Sequence, residues 1–249
     1  HKVVRFLTQA QRGYFDADIP NWLRKKADGV AFQRNRIVPY MVAPWDVRWL
    51  YYEPRLLGRA RQSLLGDFDA SNLALVFMRQ STNRGDYDNF MATNVRVSDR
   101  VFYSAHGAPF LAPLYPQSDG ERTINLRHTF LQKLEQRISA KFVELVDQTD
   151  QTVFNALDVF YWIIASVHQT AYRHHLAPLL RLDFPRIPWP ADRTHFLKLV
   201  RLGKELTSIS CIAAAPTTAS TLTATRKDLP TDRPLPRISW QSPDRLILH

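Results

Sequence analysis

The spacing of apolar residues changes near Asn125, and this change constrains the fold more than any other feature of the sequence. Before Asn125, short runs of β-branched and aromatic residues alternate with clusters of Asn, Asp, Gly and Ser, which is typical of strands joined by turns. After it, apolar residues recur every three or four positions, which indicates amphipathic helices. The sequence therefore predicts an α+β fold: a β-rich N-terminal half with a mixed or antiparallel sheet, followed by a helical C-terminal half.

The strongest strand signal is the run from Arg36 to Tyr52, where apolar residues alternate around Pro39 and Pro44. It predicts two strands joined by a turn. Because aromatic residues at strand spacing usually pack in a core, we expect Trp45, Trp49, Tyr51 and Tyr52 to be mainly buried. Shorter strands are predicted at residues 73–78, 91–95 and 101–103.

Helical spacing in the second half predicts a series of helices. The first carries an apolar face from Phe130 to Leu145, and the second begins near Gln151, runs to about His168 and is apolar almost all round, as a buried central helix would be. Two more are predicted at residues 172–182 and 192–212, the latter with Asp192 as its N-cap. Prolines at 185, 188 and 190 predict an extended, rigid connector between these two helices.

These patterns divide the chain into four stretches. Residues 1–35 are predicted to be a helical entry segment from a preceding domain, with a short helix at residues 19–27. A β-rich region at 36–125 and a helical region at 126–212 follow. The Ala-, Thr- and Pro-rich composition of residues 213–249 predicts a linker that ends in a hairpin. Because the chain begins with His1 rather than Met, we expect it to be part of a longer polypeptide.

Charge and cysteine content narrow the class of partner. The chain has 33 Lys and Arg against 23 Asp and Glu, a formal net charge of +10, which makes a polyanion the first partner to consider. The single cysteine, Cys211, excludes an internal disulfide and a multi-cysteine zinc site, in keeping with a reducing compartment, so we expect a cytoplasmic protein. No run approaches the ~20 apolar residues that span a bilayer, so we expect no membrane partner.

Motifs that carry common enzyme chemistry do not occur in the sequence. No two glycines are separated by a single residue, which excludes the usual Gly-x-Gly dinucleotide loop. Gly203-Lys204 is followed by Glu205 rather than Ser or Thr, which excludes the usual phosphate loop. No Pro-Pro pair and no acid-x-Lys spacing occur. The adjacent His174 and His175 would point about 100° apart on a helix, which is unsuited to a metal. We predict no catalytic or metal-binding residue in this chain and leave open whether it is part of an enzyme.

Several motifs in order along residues 36–210 resemble one known family. The segment from Tyr40 to Tyr52 is similar to its Tyr-Arg-Pro-Phe-Asp-x-Arg-x-x-Tyr-Tyr signature, although Ala43 stands where the family usually has arginine. The stretch Leu157–Ala165, then Tyr172-Arg173, then Asp183-Phe184-Pro185-Arg186-Ile187-Pro188 resembles its Asp-Ile-Phe-Tyr-Tyr-Ile-Tyr-Ala, Tyr-Arg and Asp-Phe-Pro-Arg-Ile-Pro series. The family is the C-terminal specificity domain of bacterial type ISP restriction-modification enzymes.

This resemblance implies a function and a set of partners. It implies that residues 36–125 contain a region that recognises a short sequence in double-stranded DNA and that the domain positions a target adenine for a separate methyltransferase domain of the same polypeptide. It implies no cofactor in this chain, because S-adenosylmethionine would bind to the adjacent methyltransferase domain. An alternative remains open: a non-catalytic interaction or scaffold domain that docks neighbouring domains.

Reading DNA requires donors and acceptors at base edges, with Arg suited to guanine and Gln or Asn to adenine. The polar loop between two predicted strands offers this set, so we predict that it reads bases, with a solvated polar turn as the alternative. Clustered arginines add affinity without precise register, so a second group is predicted to contact phosphates, with a solvated surface as the alternative. Asp46 and Arg48 are expected to form an ion pair, with DNA contact as the alternative. The base-reading candidates are Arg79, Gln80, Ser81, Asn83 and Arg84, and the phosphate-contacting candidates are Arg55, Arg59 and Arg61.

Overall fold

A computed structural model describes residues 25–57, 68, 71–80, 89–102, 107–118, 121–144, 152–212, 238–242 and 245–248. The chain divides into two compact units, residues 1–216 and 217–249. The strands of the first unit are β1 (Ile37–Ala43), β2 (Asp46–Tyr51), β3 (Ala74–Phe77), β4 (Phe90–Thr93), β5 (Arg96–Val97), β6 (Phe110–Pro113), β7 (Gln117–Ser118), β8 (Glu121–Arg122), β9 (Lys141–Phe142) and β10 (Val153–Phe154). Its helices are α1 (His128–Ile138), α2 (Ala156–His168), α3 (Thr170–Leu180) and α4 (Arg193–Ile212).

Two three-stranded sheets form the β-rich half. The first has the order β2-β1-β5, with β1 and β2 antiparallel and β5 parallel to β1, so it is a mixed sheet. The second, the central sheet, has the order β4-β3-β6 and is antiparallel throughout. The helices follow in sequence, which confirms the predicted α+β class and the predicted strand–turn–strand at residues 36–52.

The central sheet separates two hydrophobic layers because side chains alternate along a strand. On one face of β3, Ala74 and Val76 pack in a cluster with Met41 of the mixed sheet. On the other face, Leu75 and Phe77 pack in a cluster with residues of α2, among them Phe160. The unit is therefore layered as mixed sheet, central sheet and helices.

Helix α2 is the buried helix that the sequence predicts. Its buried residues lie on several sides: Ala156, Val159, Phe160, Trp162, Ile164, Ala165, Ser166 and Val167. Helix α4 crosses it closely, because a Cβ atom at Gly203 would lie 1.8 Å from the Tyr161 carbonyl oxygen. Glycine is thus required at this crossing by space rather than by backbone conformation.

The helix boundaries depend on side-chain caps. The Asn155 carboxamide oxygen accepts from the Asp158 amide at 3.0 Å, and the Asp158 carboxylate accepts from the Asn155 amide at 2.9 Å, which forms a capping box at the start of α2. Asp192 accepts from the His195 amide at 2.7 Å, which confirms the predicted cap of α4. The extended connector between α3 and α4 is held by Tyr172, whose hydroxyl donates to the Arg186 carbonyl at 3.0 Å.

Two helix predictions are wrong at their ends. Helix α1 stops at Ile138 rather than continuing to Leu145, because Ser139 is left-handed (φ 52°) and turns the chain into β9. Helix α2 begins at Ala156 rather than near Gln151, since residues 153–154 form β10, which pairs in parallel with β9. Both short strands carry apolar residues that coincide with helical spacing.

The strand predictions differ from the structure in the second part of the β-rich half. Residues 101–102 form a turn in which the Val101 amide donates to the Ser98 carbonyl at 3.3 Å, rather than a strand, and residue 103 lies outside the described residues. Strand β6, Phe110–Pro113, was not predicted, because the flanking prolines obscure a short apolar run. The predicted entry helix at 19–27 is described only at residues 25–27, which are helical.

Two of the four aromatic residues expected in the core are exposed. Tyr51 and Tyr52 are buried, as predicted, whereas Trp45 and Trp49 are 59% and 58% exposed. Trp45 lies in the turn between β1 and β2, and Trp49 lies on β2, the edge strand of the mixed sheet. Neither position is covered by a second layer among the described residues.

The second unit contains an antiparallel hairpin of β11 (Ile238–Ser242) and β12 (Arg245–Leu248). A terminal hairpin is what the sequence predicts for this stretch. Its register runs from Ile238 opposite Leu248 to Ser242 opposite Arg245, with an irregularity after Trp240.

Candidate nucleic-acid interface

Arg79 and Gln80 lie just beyond the end of β3, and both side chains are exposed. Both contact the start of the connector that follows α3. The Arg79 Nε lies 3.4 Å from a carboxylate oxygen of Asp183, and its guanidinium carbon lies 5.6 Å from the centre of the Phe184 ring. The Gln80 side-chain amide donates to the Leu182 carbonyl at 3.3 Å. The structure thus brings together two predicted base-reading residues and holds them on the connector.

A group of packed phenylalanine rings holds the connector beside Arg79 and Gln80. Phe77 on β3 lies directly opposite Phe90 on β4 and Phe110 on β6, and its ring centre is 5.9 Å from each of theirs. We call these three residues the phenylalanine row. Phe184 of the connector packs edge-on against Phe77 and Phe110, at 6.0 and 5.0 Å. The connector is therefore docked on the same sheet end from which Arg79 and Gln80 emerge.

Electrostatics favour an ionised Asp183 at the junction. The hydrogen bond from the Phe184 backbone amide, and then the hydrogen bond and positive charge of Arg79 and the charge of Arg186, hold the pKa of Asp183 below its usual range. The carboxylate is solvent-exposed, so its role is to orient Arg79 rather than to add much stability. Arg186, whose place in the connector was noted from the sequence, also belongs to this cluster of charges.

The remaining predicted residues are only partly placed. Arg55 lies in a short 3-10 helix, Pro54–Leu56, and its guanidinium donates to the Asp28 carbonyl at 3.3 Å, so it is not part of the Arg79 junction. Ser81, Asn83 and Arg84 among the base-reading candidates, and Arg59 and Arg61 among the phosphate candidates, lie outside the described residues.

The expected ion pair between Asp46 and Arg48 is confirmed. The Arg48 Nη2 lies 2.6 Å from a carboxylate oxygen of Asp46, and Arg48 Nε is 3.1 Å from both oxygens. The hydrogen bond with Arg48, followed by its positive charge, lowers the pKa of Asp46, and the pair raises the pKa of Arg48. Because both groups are exposed, the pair shapes the start of β2 and adds little to stability.

Other residues of the family-like motifs have structural roles. Arg173 Nε donates to the Val167 carbonyl near the C-terminus of α2 at 3.0 Å, while Tyr172 anchors the connector. Trp189 stacks on Phe130 at 5.4 Å and extends the aromatic core around Trp162. These contacts explain why the motif residues occur at these positions without assigning them to DNA.

Neither a metal cluster nor a membrane span is present in the part of the chain that the structure describes. Among those residues, no group of three or more His, Cys, Asp and Glu side chains is arranged to hold a metal ion. The rings of His174 and His175 contact each other edge-on, with 5.8 Å between their centres. No helix within the same ranges is long and apolar enough to cross a bilayer.

Comparison with solved structures establishes the fold. The chain is similar to a chain of the DrdV–DNA complex (TM-score 0.59, 20% identity, 84% of this chain and 20% of that chain). It is also similar to LlaBIII, an ATP-dependent type ISP restriction-modification enzyme bound to DNA (TM-score 0.57, 18% identity, 84% of this chain and 13% of that chain). A third similar structure is a nuclease-deletion mutant of the type ISP enzyme LlaGI in complex with a DNA substrate mimic (TM-score 0.50, 19% identity, 73% of this chain and 12% of that chain). The chain thus spans a fifth or less of the length of these relatives.

Comparison with protein families extends over almost the whole chain. No curated protein matches it. The family model for the type ISP C-terminal specificity domain matches residues 8–246, which include both sheets, the connector and the helices. The resemblance carried by the Tyr40–Tyr52 and Asp183–Pro188 motifs is therefore confirmed, and the chain belongs to the family of type ISP C-terminal specificity domains.

Proposed function

We propose that this chain recognises a short sequence in double-stranded DNA as part of a restriction-modification enzyme. The observation that carries the proposal is the junction of Arg79 and Gln80 with Leu182–Phe184, which holds a guanidinium and a carboxamide side by side at one exposed sheet end. Family membership, the DNA in the complexes of its structural relatives and the net charge of +10 support the same function.

The chemistry of the two side chains suits base edges in the major groove. The Arg79 bond to Asp183 is made by Nε, so its two Nη groups do not take part in that bond and match the two acceptors of guanine. Gln80 gives one amide hydrogen to Leu182 and retains its second hydrogen and its carbonyl oxygen, the pair that adenine recognition needs. Ser81, Asn83 and Arg84 belong to the same proposed reading loop.

The proposal extends to the parent enzyme. The domain positions a target adenine for a methyltransferase domain of the same polypeptide, which would take the base out of the stack and would bind S-adenosylmethionine. Arg55, Arg59 and Arg61 contact phosphates and contribute affinity without sequence preference. The setting is the cytoplasm, where the enzyme meets DNA.

A second candidate is a docking domain for its neighbours. It is favoured by apolar side chains that are exposed around the end of α3 and along α4, namely Leu179, Leu182, Leu202 and Ile209. Such a domain would hold the parent enzyme together without reading DNA. The two functions are not exclusive, but only the first predicts sequence preference.

Selection of binding sites from a random duplex pool, with the intact polypeptide, tests the proposal. We expect enrichment of one short asymmetric sequence. The same selection with the Arg79→Ala polypeptide should lose information at a guanine position, while retaining the rest of the sequence. A pool that emerges unenriched from the intact polypeptide would contradict sequence recognition and leave the docking function.

A further inference from the structure

A pocket of about 300 Å³ lies beside β4, the edge strand of the central sheet, and shares Phe90 with the phenylalanine row. Its apolar wall includes Trp45 from the β1–β2 turn, Phe90 from β4 and Phe102. Its polar lining includes His168 at the end of α2 and Arg173 from α3. The size is at the lower end of the ~300–1,000 Å³ that is usual for small-ligand sites. Phe90 packs edge-on against His168, with 6.4 Å between the ring centres, which holds the imidazole against the aromatic wall of the pocket.

Trp45 is held in a costly conformation at the mouth of this pocket. It follows Pro44 in a two-residue turn and has a φ of 63°, where such turns normally place Gly or Asn. A large side chain is disfavoured in this region of backbone space. Its indole gains little burial in return, since Trp45 is 59% exposed. Because burial of the side chain does not offset the unfavourable backbone conformation of Trp45, its ring is available to contact a binding partner.

His168 offers the pocket a hydrogen-bond acceptor, because a second hydrogen bond fixes its tautomer. Its Nδ1 lies 2.9 Å from the Ile164 carbonyl oxygen, so Nδ1 carries the proton of a neutral ring and Nε2 is left as an acceptor. Burial lowers the pKa of His168, against the opposing effect of the Ile164 bond, and the charge of Arg173 lowers it further. The imidazole is therefore neutral near pH 7.

Arg173 adds a positive charge to the same lining. Its Nε is used by the Val167 carbonyl at 3.0 Å, which fixes the guanidinium plane. The Nη groups are not part of that bond, so charge is available beside the pocket. A flat aromatic surface, an acceptor and a fixed cation make up the chemistry that recognises a nucleotide outside a base stack.

We propose that this pocket binds one unstacked nucleobase of DNA, with Trp45 as the stacking surface, His168 Nε2 as the acceptor and Arg173 facing the adjoining phosphate. The inference rests on the proposed function, because it assumes a DNA partner. An apolar side chain of another protein domain would contact the aromatic wall but would offer no hydrogen bond to His168 Nε2 or to the Arg173 Nη groups. A base satisfies all three groups, so the observations favour it.

The test uses three fluorescent DNA probes with the same flanking sequence. One duplex carries a single unpaired 2-aminopurine, a second carries an abasic residue at that place, and a third is a single strand that contains 2-aminopurine. We expect the chain to bind the unpaired base roughly tenfold more tightly than the abasic site and to quench its fluorescence by stacking. Tight binding of the single strand as well would identify separated strands as a second source of the base.

Variants assign the effect to the pocket. Asn tolerates positive φ, so Trp45→Asn keeps the turn and removes the ring. It should abolish both the preference for the base and the quenching, whereas Trp45→Phe should retain most of each. Trp49→Ala is the matched control, since Trp49 is equally exposed on the same hairpin but does not line the pocket, and it should change neither.

Two results would overturn the proposal: equal binding of the base-bearing and abasic duplexes, or a base preference that survives Trp45→Asn. Unchanged DNA binding by Trp45→Asn together with no base preference would assign the pocket to a protein partner, which also overturns it. Failure of the proposed function is a separate result. In that case sequence selection on fully paired duplexes fails while the preference for the unpaired base persists.

Discussion

Arg79 and Gln80 are the residues whose replacement should change sequence preference most directly. Each side chain is exposed, oriented by the connector and able to form paired hydrogen bonds with a base. We expect Arg79→Ala and Gln80→Ala to lower the affinity for the preferred duplex by about 1–3 kcal/mol each, with much smaller losses on unrelated duplexes. Titration of each variant against both kinds of duplex at one salt concentration measures the difference.

Arg59→Ala provides the comparison for these two variants. As a predicted phosphate contact, Arg59 should contribute equally on every duplex, so its replacement lowers affinity without changing preference. If all three variants lose the same affinity on every sequence, the assignment of Arg79 and Gln80 to base reading is wrong. Asp183→Asn extends the series, because loss of the carboxylate should weaken discrimination while preserving the charge of Arg79.

His168 should make the fold less stable in mild acid. Its pKa in the folded chain lies below the ordinary value of about 6.5, because the ring is half-buried and Arg173 is positively charged. The unfolded chain therefore binds more protons as the pH falls through about 6.5, and the free energy of unfolding decreases until the folded-state pKa is passed. Denaturant titrations from pH 7.5 downward should show a smaller decrease for His168→Gln.

His175→Gln is the matched control for that measurement. His175 makes the same kind of bond, from Nδ1 to the carbonyl four residues earlier at 2.8 Å, but it is exposed. Its replacement shows how much of the change in stability comes from loss of such a bond alone, without burial of the ring. A His168→Gln profile that is parallel to the parent profile would show that burial of this ring carries no proton linkage.

Among the helices, α2 depends on a cap that the sequence displays only in part. Asn155 satisfies the Asp158 amide, and the reciprocal bond completes the capping box. Asn155→Ala should lower the free energy of unfolding by about 1 kcal/mol. Gln169→Ala serves as the comparison in thermal or denaturant unfolding, since Gln169 is the N-cap of α3 but makes no side-chain cap bond. Equal losses for the two variants would contradict the role of the box.

The crossing of α2 and α4 should tolerate no side chain at Gly203. A methyl group there would lie 1.8 Å from the Tyr161 carbonyl oxygen, so the helices must separate or the chain must fail to fold. We expect Gly203→Ala to lower the free energy of unfolding by about 3 kcal/mol or more, beyond the range of most single substitutions. Leu202→Ala, at the neighbouring exposed position, should change it by less than about 1 kcal/mol.

The elements that could be predicted from the sequence are those with a long and consistent period. The β1–β2 hairpin, the apolar α2 and the capped α4 belong to this class. The two-residue strands β9 and β10 do not, because two residues carry no measurable period and their apolar side chains coincide with helical spacing. The exposure of Trp45 could not be predicted either, since it depends on which side of the turn a second layer covers.

For the whole molecule, a salt titration separates DNA recognition from apolar docking. Each neutralised phosphate adds about 0.9 to the slope of log affinity against log salt, so contacts by Arg55, Arg59 and Arg61 predict a slope of magnitude roughly 3 or more. Binding to a neighbouring domain through apolar residues should hardly respond over the same range. A flat response with duplex DNA would contradict the phosphate contacts, whatever the sequence preference.

The candidate site, like the short strands, could be predicted from the sequence only in part. Residue chemistry predicted Arg79 and Gln80 as base-reading residues, because guanidinium and amide groups are suited to bases. The connector that holds them lies about a hundred residues later in the chain, and no local pattern reveals that Asp183 and Phe184 return to the end of β3. Long-range pairing of this kind follows from the packing of Phe184 on the phenylalanine row, which depends on three strands at once.

The central sheet has a consequence for how such a domain could acquire new specificity. Residues 78–89 connect β3 and β4, whose register is fixed by four opposed pairs from Ala74 and Thr93 to Phe77 and Phe90. The two strands are held in alignment by this ladder and by the core contacts of their own side chains. On the proposed function, exchange of the connecting peptide between relatives would alter the preferred DNA sequence while the ladder keeps β3 and β4 aligned, which makes this connection the natural graft point for engineering.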